Sequence, residues 1–258
     1  MKPRDVYKIV DSLAPFALSK EYCAMTGGYD NSGLLLDCNE EVTGVLFSLD
    51  LSKRAIQEAR RVGANCIVTH HPAIYAPLKG LTSDMGGGIL LCARAGISVV
   101  SAHLNLDCAS DGIDENLMKG LGGKTPVAVY EQLSGGAYGR VYDVEKCPLE
   151  QFVTKVKKTF STDRAVCYGE GEVRRVASFC GAGFEDRSLA FAVQNGADTV
   201  VSSDGKHHLI AEAVERGLNV VLLTHYAAEC YGFVHFAKNI EKLLKGVPCT
   251  VFTDGRLL

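Results

Sequence analysis

The sequence predicts an α/β protein of two lobes with mixed sheets, the second lobe inserted into the first. Short apolar runs such as Val45–Leu49, Cys66–Thr69 and Ile97–Ser101 alternate with stretches whose apolar residues recur at helical spacing. That alternation marks βα units laid on a parallel sheet. Near Gly135 the pattern changes, and Tyr138–Val144 alternates like a strand of a new sheet. A chain of 258 residues is also long enough to bury two cores. The expected division is a first lobe of residues 1–125 and 220–258, with residues 126–219 as the inserted lobe.

The elements follow in order. A helix over Pro3–Leu13 has proline at its start, where a missing donor is harmless, and Val6, Ile9, Val10 and Leu13 as its apolar stripe. A turn-rich loop, Gly27 to Gly33, leads to the strand Leu34–Leu36. Val45–Leu49 is a second strand, ending at Asp50. Ser52 caps the next helix, which turns Ala55, Ile56, Ala59 and Val62 inward. After the turn Gly63-Ala64-Asn65 comes the strand that ends in His70-His71-Pro72. Gly86-Gly87-Gly88 opens a helix over Ile89–Ala95 that stops at Gly96, and its glycine spacing fits no phosphate-loop pattern. In the second lobe, Leu149, Phe152, Val153, Val156 and Phe160 mark an amphipathic helix, and Val173–Phe179 a strand. A helix over Ser188–Asn195 and the strands Asp198–Val201 and Val220–Leu223 complete the reading.

Composition narrows the partners. The net charge of −3 recommends no nucleic acid, and the basic pairs Lys157-Lys158 and Arg174-Arg175 read as solvated faces. No apolar run approaches the roughly 20 residues that cross a bilayer, and Met1–Asp5 lacks the apolar core of a signal peptide. Ten cysteines are scattered singly with no Cys-x-x-Cys pair, as in a reduced, cytoplasmic protein.

Three strand ends carry chemistry. In open α/β sheets, ligands gather beyond the carboxyl ends of strands. Successive side chains on an extended strand point apart, but where the chain turns at Pro72 the imidazoles of His70 and His71 can hold two ions side by side. The plain alternative is one ring packed and one solvated. The next strand end supplies His103, Asn105 and Asp107, and a carboxylate there can bridge two cations. His225 and Glu229 lie four apart at the start of a helix and so share one face, which taken alone also suits a surface ion pair. Ser202–His208 follows another strand end, with Lys206, His207 and His208 as groups able to orient substrate or trade protons.

Taken together, Tyr29-Asp30-Asn31-Ser32-Gly33-Leu34, Thr69-His70-His71-Pro72, His103-Leu104-Asn105-Leu106-Asp107 and His225-Tyr226-x-x-Glu229 resemble the NGG-one-interacting-factor-three-like family over nearly the whole chain. Its members are dinuclear-metal ring proteins often labelled GTP cyclohydrolase I type 2 homologues. The resemblance implies two divalent ions per subunit in a cleft between the lobes, held by His70, His71, Asp107, His225 and Glu229, with Asp107 and Glu229 as bridges. It also implies a homohexameric toroid. The chain departs from the family pattern at Tyr29, where tryptophan is usual, at Thr224, where glycine is usual, and at Ser202-Ser203-Asp204, where a Thr-Gly-Asp-like run is usual. None of these removes a ligand. The chain is too short for the extra domain that some members carry.

Nitrogen and oxygen donors suit zinc, iron or manganese, and two ions about 3.5–4 Å apart can share a hydroxide. The expected function is therefore a metal-dependent hydrolase acting on a nucleotide or phosphoester. His103, Lys206 and His208 are its candidate catalytic groups, and Asn105 and His207 its candidate substrate contacts. The alternative is a non-enzymatic metal-binding ring serving as scaffold, metal store or regulator.

Overall fold

A computed structural model of the chain describes residues 1–82 and 86–258. These divide into two compact units, Met1–Ala109 with Phe233–Thr253, and Ser110–Gly232 with Asp254–Leu258.

Unit 1 opens with α1, Pro3–Leu13, whose Val6 and Val10 are fully buried. Helix α2, Phe16–Thr26, follows and ends at the left-handed Gly27. Strand β1, Gly33–Leu36, and β2, Val45–Ser48, lead to α3, Lys53–Arg61. Ser52 caps α3 as expected, its side chain accepting from the Ala55 N–H at 3.1 Å. Next come β3, Cys66–Thr69, α4, Gly87–Arg94, β4, Ser98–Ser101, and the short α5, Leu104–Cys108. Strands β2, β3 and β4 are parallel and buried along their whole length, whereas β1 lies antiparallel on β4. One face of this sheet packs on α3 and α4 through Leu46, Ile56, Ala59, Ile67, Ile89 and Val99. Truncating a side chain such as Ile56 in that layer would cost about 2–5 kcal/mol.

Unit 2 begins with α6, Ile113–Gly120, then β5, Pro126–Leu133, β6, Gly136–Pro148, and α7, Leu149–Thr159. It continues with β7, Ala165–Tyr168, β8, Glu172–Ser178, α8, Asp186–Gln194, and β9, Thr199–Ser202. Helix α9, His207–Glu215, and β10, Asn219–Leu223, precede α10, His225–Leu243. The sheet order is β5-β6-β8-β9-β10-β7, with β8, β9 and β10 parallel and the other pairings antiparallel. Asp114 on α6 is fully buried and accepts from the backbone N–H of Gly139 and of Cys180 and from the Arg140 guanidinium. A carboxylate with three such donors is satisfied in the interior. Gly232 lets α10 run close to α6, since a Cβ there would lie 2.9 Å from the Ile113 Cα.

The boundary between the units falls inside α10. From Phe233 onward the chain again belongs to unit 1, where the Phe233 ring meets Phe47 with centroids 6.5 Å apart. Strand β11, Cys249–Phe252, then pairs in parallel with β2, completing the sheet order β1-β4-β3-β2-β11. Both sheets are mixed. Residues 110–125, 220–232 and 254–258, assigned to the first lobe from the hydrophobic pattern, lie in unit 2. The physical reason is pairing: α6 packs on β6 and β8, and β10 is hydrogen-bonded between β9 and β7. All ten cysteines are free thiols, and burial pushes Cys66 and Cys92 up to about 12, which makes them poor nucleophiles. Among the described residues no helix is long and apolar enough to cross a membrane.

Candidate functional site

In unit 1 the site is built at the carboxyl ends of β3 and β4. Strand β3 stops at Thr69, and the backbone N–H groups of His70 and His71 both donate to the Leu49 carbonyl, at 3.2 and 2.9 Å. The chain therefore turns at once, and the two imidazoles come to lie 4.9 Å apart, centroid to centroid. The Thr69 hydroxyl secures the turn through the His71 carbonyl and the Ser101 hydroxyl, and Ser101 in turn accepts from the Ala73 N–H. His103 enters from the loop after β4, its ring 5.2 Å from His70 and 5.9 Å from His71. Asp107, on α5, is buried, with its Oδ1 3.5 Å from the His70 Nε2.

Every ring in this cluster is anchored through Nδ1. The His70 Nδ1 lies 2.8 Å from the Ala102 carbonyl oxygen, which can only accept, so Nδ1 carries the proton. The His71 Nδ1 lies 2.7 Å from Asp50 and the His103 Nδ1 2.8 Å from Asp30. Burial alone would raise the Asp30 carboxyl, but hydrogen bonds from His103, Ser19 and Ser32 outweigh it and bring it down to about 2. Asp30 is thus a carboxylate, and His103 is the donor. Such anchors fix ring orientation and leave the Nε2 lone pair as the donor toward a cation, as in metal-bound histidines. Ligand atoms of His70, His103 and Asp107 lie within 4.8 Å of one another. Tyr29 and Tyr75, both more than half exposed, meet edge-to-face at 6.1 Å, and Tyr75 also faces His103.

Unit 2 carries a second set. Thr224 caps α10, its hydroxyl accepting from the Ala227 N–H at 3.0 Å. His225 opens that helix, and its Nε2 lies 3.0 Å from Oε1 of the buried Glu229 one turn later. The His225 Nδ1 lies 2.7 Å from Asp204, which again puts the proton on Nδ1. The ring thus lies between two carboxylates, and its Nε2 and the Glu229 carboxylate offer a nitrogen and an oxygen of the kind that hold a divalent cation. Gly181, in the left-handed region at φ +58°, makes room for the pair. A Cβ there would sit 2.7 Å from the Glu229 Oε1 and 3.4 Å from the His225 Cε1.

The remaining sequence-based candidates are placed as follows. Asn105 is fully buried and donates to the Ala14 carbonyl, a structural bond inside unit 1. His207 and His208 are exposed at the start of α9, and Lys206 is exposed at its N-cap. The anchors Asp30, Asp50 and Asp204, and the cradle at Gly181, are the residues that sequence reasoning did not assign to the site. Asp30 lies within the motif Tyr29–Leu34, and Asp50 and Asp204 each follow a strand end. Such loops were the signal, but each anchor lies 21 or 73 residues from its histidine in sequence.

Comparison with known proteins places the sequence and the fold. Residues 1–254 match the family Duf34/NIF3 (NGG1p interacting factor 3). A GTP cyclohydrolase 1 type 2 homolog of Clostridium perfringens is 26% identical over 257 residues, covering 95% of this chain and 93% of that protein. Among solved structures, a hypothetical protein of Staphylococcus aureus superposes with a TM-score of 0.85 at 25% identity, covering 98% of this chain and 97% of that one. Reduced HcgD from Methanocaldococcus jannaschii superposes with a TM-score of 0.82 at 26% identity, covering 98% of each chain.

Proposed function

The chain belongs to the Duf34/NIF3 family, and from that membership and the two anchored ligand sets we propose a metal-dependent hydrolase with two divalent ions per subunit, acting on a nucleotide or phosphoester. The ions are zinc, iron or manganese, held by His70, His71 and Asp107 from unit 1 and by His225 and Glu229 from unit 2. Asp107 and Glu229 are the carboxylates that would hold them beside the imidazoles. The observation that carries the reading is the shared anchoring of the imidazoles through Nδ1, to Ala102, Asp50, Asp30 and Asp204. Three of these rings, His70 and His71 in unit 1 and His225 in unit 2, with the buried carboxylates Asp107 and Glu229, are the nitrogen and oxygen donors proposed for divalent metal. When bound, such ions supply a hydroxide at neutral pH and stabilise charge on the oxygens of a hydrolysis.

The chain's own residues have separate tasks. Asp50, Asp30 and Asp204 hold protons at Nδ1 and keep the rings from rotating. His103, with Asp30 holding its Nδ1 proton, would carry a second proton on Nε2 for a leaving group. The name GTP cyclohydrolase 1 type 2 homolog, carried by relatives, makes purine nucleotides the first substrates to test. The assembly proposed from the family resemblance is a homohexameric ring, which light scattering at micromolar concentration would test.

The deciding experiment is metal analysis of the purified protein, followed by melting with and without chelator and a hydrolysis screen over nucleotides, phosphoesters and cyclic amides. An ion at about 100 times its dissociation constant stabilises the native state by about 2.7 kcal/mol, so chelation should lower the melting temperature and re-addition restore it. Absence of bound metal after reconstitution would overturn the reading. Stable metal with no turnover on any class would assign the chain to metal binding without catalysis.

A further inference from the structure

A cavity of about 620 Å³ opens in unit 2 beyond the carboxyl ends of β8, β9 and β10. That is the size of a small-molecule pocket. Its walls combine apolar and cationic groups, with Val166, Phe184 and Leu222 on one side and Arg164 and Lys206 on the other. Val166 is 54% exposed although apolar, and Leu222 pairs with it across β7 and β10, so a strip of hydrophobic surface faces the opening. Asp204 also lines the cavity, and the same carboxylate anchors His225. The space therefore adjoins the ligand set of unit 2.

Three features select an anion. Lys206 and Arg164 make no ion pair among the described residues, and the Arg164 guanidinium is steadied by the Arg256 carbonyl at 2.7 Å. Helix α9 begins at His207, and its N-cap provides no side-chain cap, so its first N–H groups point toward the loop that lines the cavity. Ser203, in the same wall and only 6% exposed, has a hydroxyl with no hydrogen-bond partner among the described residues. A buried hydroxyl in that state is costly unless a ligand or water completes it. Of the wall's carboxylates, Asp204 is engaged by His225 and Glu185 by the Ser188 N–H in a capping box, leaving Asp163 against the two cations.

We propose that this cavity seats a phosphorylated small molecule, with its phosphate between Lys206, Ser203 and the N-terminus of α9 and its organic body along Phe184, Val166 and Leu222. The inference rests on the hydrolase reading for its meaning, since it supplies the substrate subsite beside His225. Binding itself does not require turnover. Lys206 is the point charge for phosphate, and the apolar strip distinguishes a nucleotide from phosphate alone.

The test is calorimetric titration of the full chain, with and without added zinc, using inorganic phosphate, a nucleoside 5′-monophosphate and the corresponding nucleoside. The monophosphate should bind more tightly than either fragment. Lys206→Met should weaken it about tenfold or more, the scale of one charge-assisted hydrogen bond, with zinc content unchanged. Lys206→Arg should keep most of the affinity. Val166→Asn, a neutral change at a half-exposed position on the edge strand β7, should weaken the monophosphate and spare inorganic phosphate. No binding of the monophosphate, or binding indifferent to both Lys206→Met and Val166→Asn, overturns the proposal. Phosphoester turnover with KM unchanged in Lys206→Met would sink the cavity assignment and leave the hydrolase reading standing. Monophosphate binding that depends on Lys206 in a protein without turnover would do the reverse.

Discussion

In unit 1 the His70 side chain is fully buried and tied to a main-chain carbonyl, whereas in unit 2 the His225 side chain is 35% exposed and leans on a carboxylate that is itself 60% exposed. The first set is fixed by its surroundings: the turn at Thr69, the shared Leu49 acceptor and the packed rings leave the imidazoles few alternatives. The second is fixed by a helix. Residues four apart on α10 meet because of the helical repeat, and Gly181 clears the space they need. Ordering that is completed by burial depends on each buried partner, because no water reaches in to replace a lost one. Ordering set by one turn of helix and one glycine should fail when either is altered.

The largest expected effect is at Asp107, the buried carboxylate 3.5 Å from the His70 Nε2. Asp107→Ala should lose most of the bound metal while the protein stays folded, since the cations would lack a buried anion. Full occupancy in that variant, by elemental analysis, would end its role as a ligand. Next is Gly181→Val. The branched side chain must enter space that Glu229 fills, and a left-handed backbone costs a non-glycine residue about 1–2 kcal/mol. Metal affinity should fall by 10–100-fold or more. A variant with wild-type affinity would show that unit 2 tolerates displacement of Glu229 and that the contrast drawn above is wrong.

A finer comparison sets Asp30→Asn against Asp204→Asn. Both remove the charge behind a histidine, and such changes typically cost 10–100-fold in metal affinity or activity. The Asp30 side chain is 1% exposed and receives hydrogen bonds from His103, Ser19 and Ser32, whereas Asp204 stands in water. The Asp30 variant should therefore lose more activity than the Asp204 variant, because water can replace an exposed carboxylate but not a buried one. Equal losses would mean that the exposed anchor is as well ordered as the buried one.

The same contrast explains what could be read in the sequence. Strands β2, β3 and β4 were legible because a buried parallel strand is a bare apolar run, and α3 because its cap and stripe agree. Helix α2 was not, since its buried residues cluster at its first turn and form no stripe. Helix α6 was not legible because polar residues are buried on it: Asp114 accepts from Gly139 and Cys180, distant in sequence, and Asn116 donates to the Asp111 and Gly112 carbonyls. Strand β7 escaped notice as a short, mostly exposed edge strand. The histidines and acidic residues of the candidate centre stood out as residue types at strand ends. Their anchors did not, because a hydrogen bond between residues 30 and 103 leaves no periodicity to find.

The smallest effect should be seen only in acid, and it isolates Asp30 from the metal question. Its carboxyl is lowered from 3.8 to about 2 in the folded chain, by hydrogen bonds that overcome the opposing effect of burial. A carboxyl lowered on folding stabilises the native state above its unfolded value and loses that contribution as pH falls through the folded one. At 1.36 kcal/mol per pH unit the stake is about 2 kcal/mol, fully present at neutral pH and lost between about pH 4 and 2. Since the side chain is 1% exposed, solvent screening reduces this little. Metal-free wild-type protein should thus lose stability across that window in denaturant titrations, and metal-free Asp30→Asn should lose less by about the same amount. Parallel acid limbs for the two proteins would mean that Asp30 is not held ionised by His103, Ser19 and Ser32, and the donor assignment at His103 would fall with it.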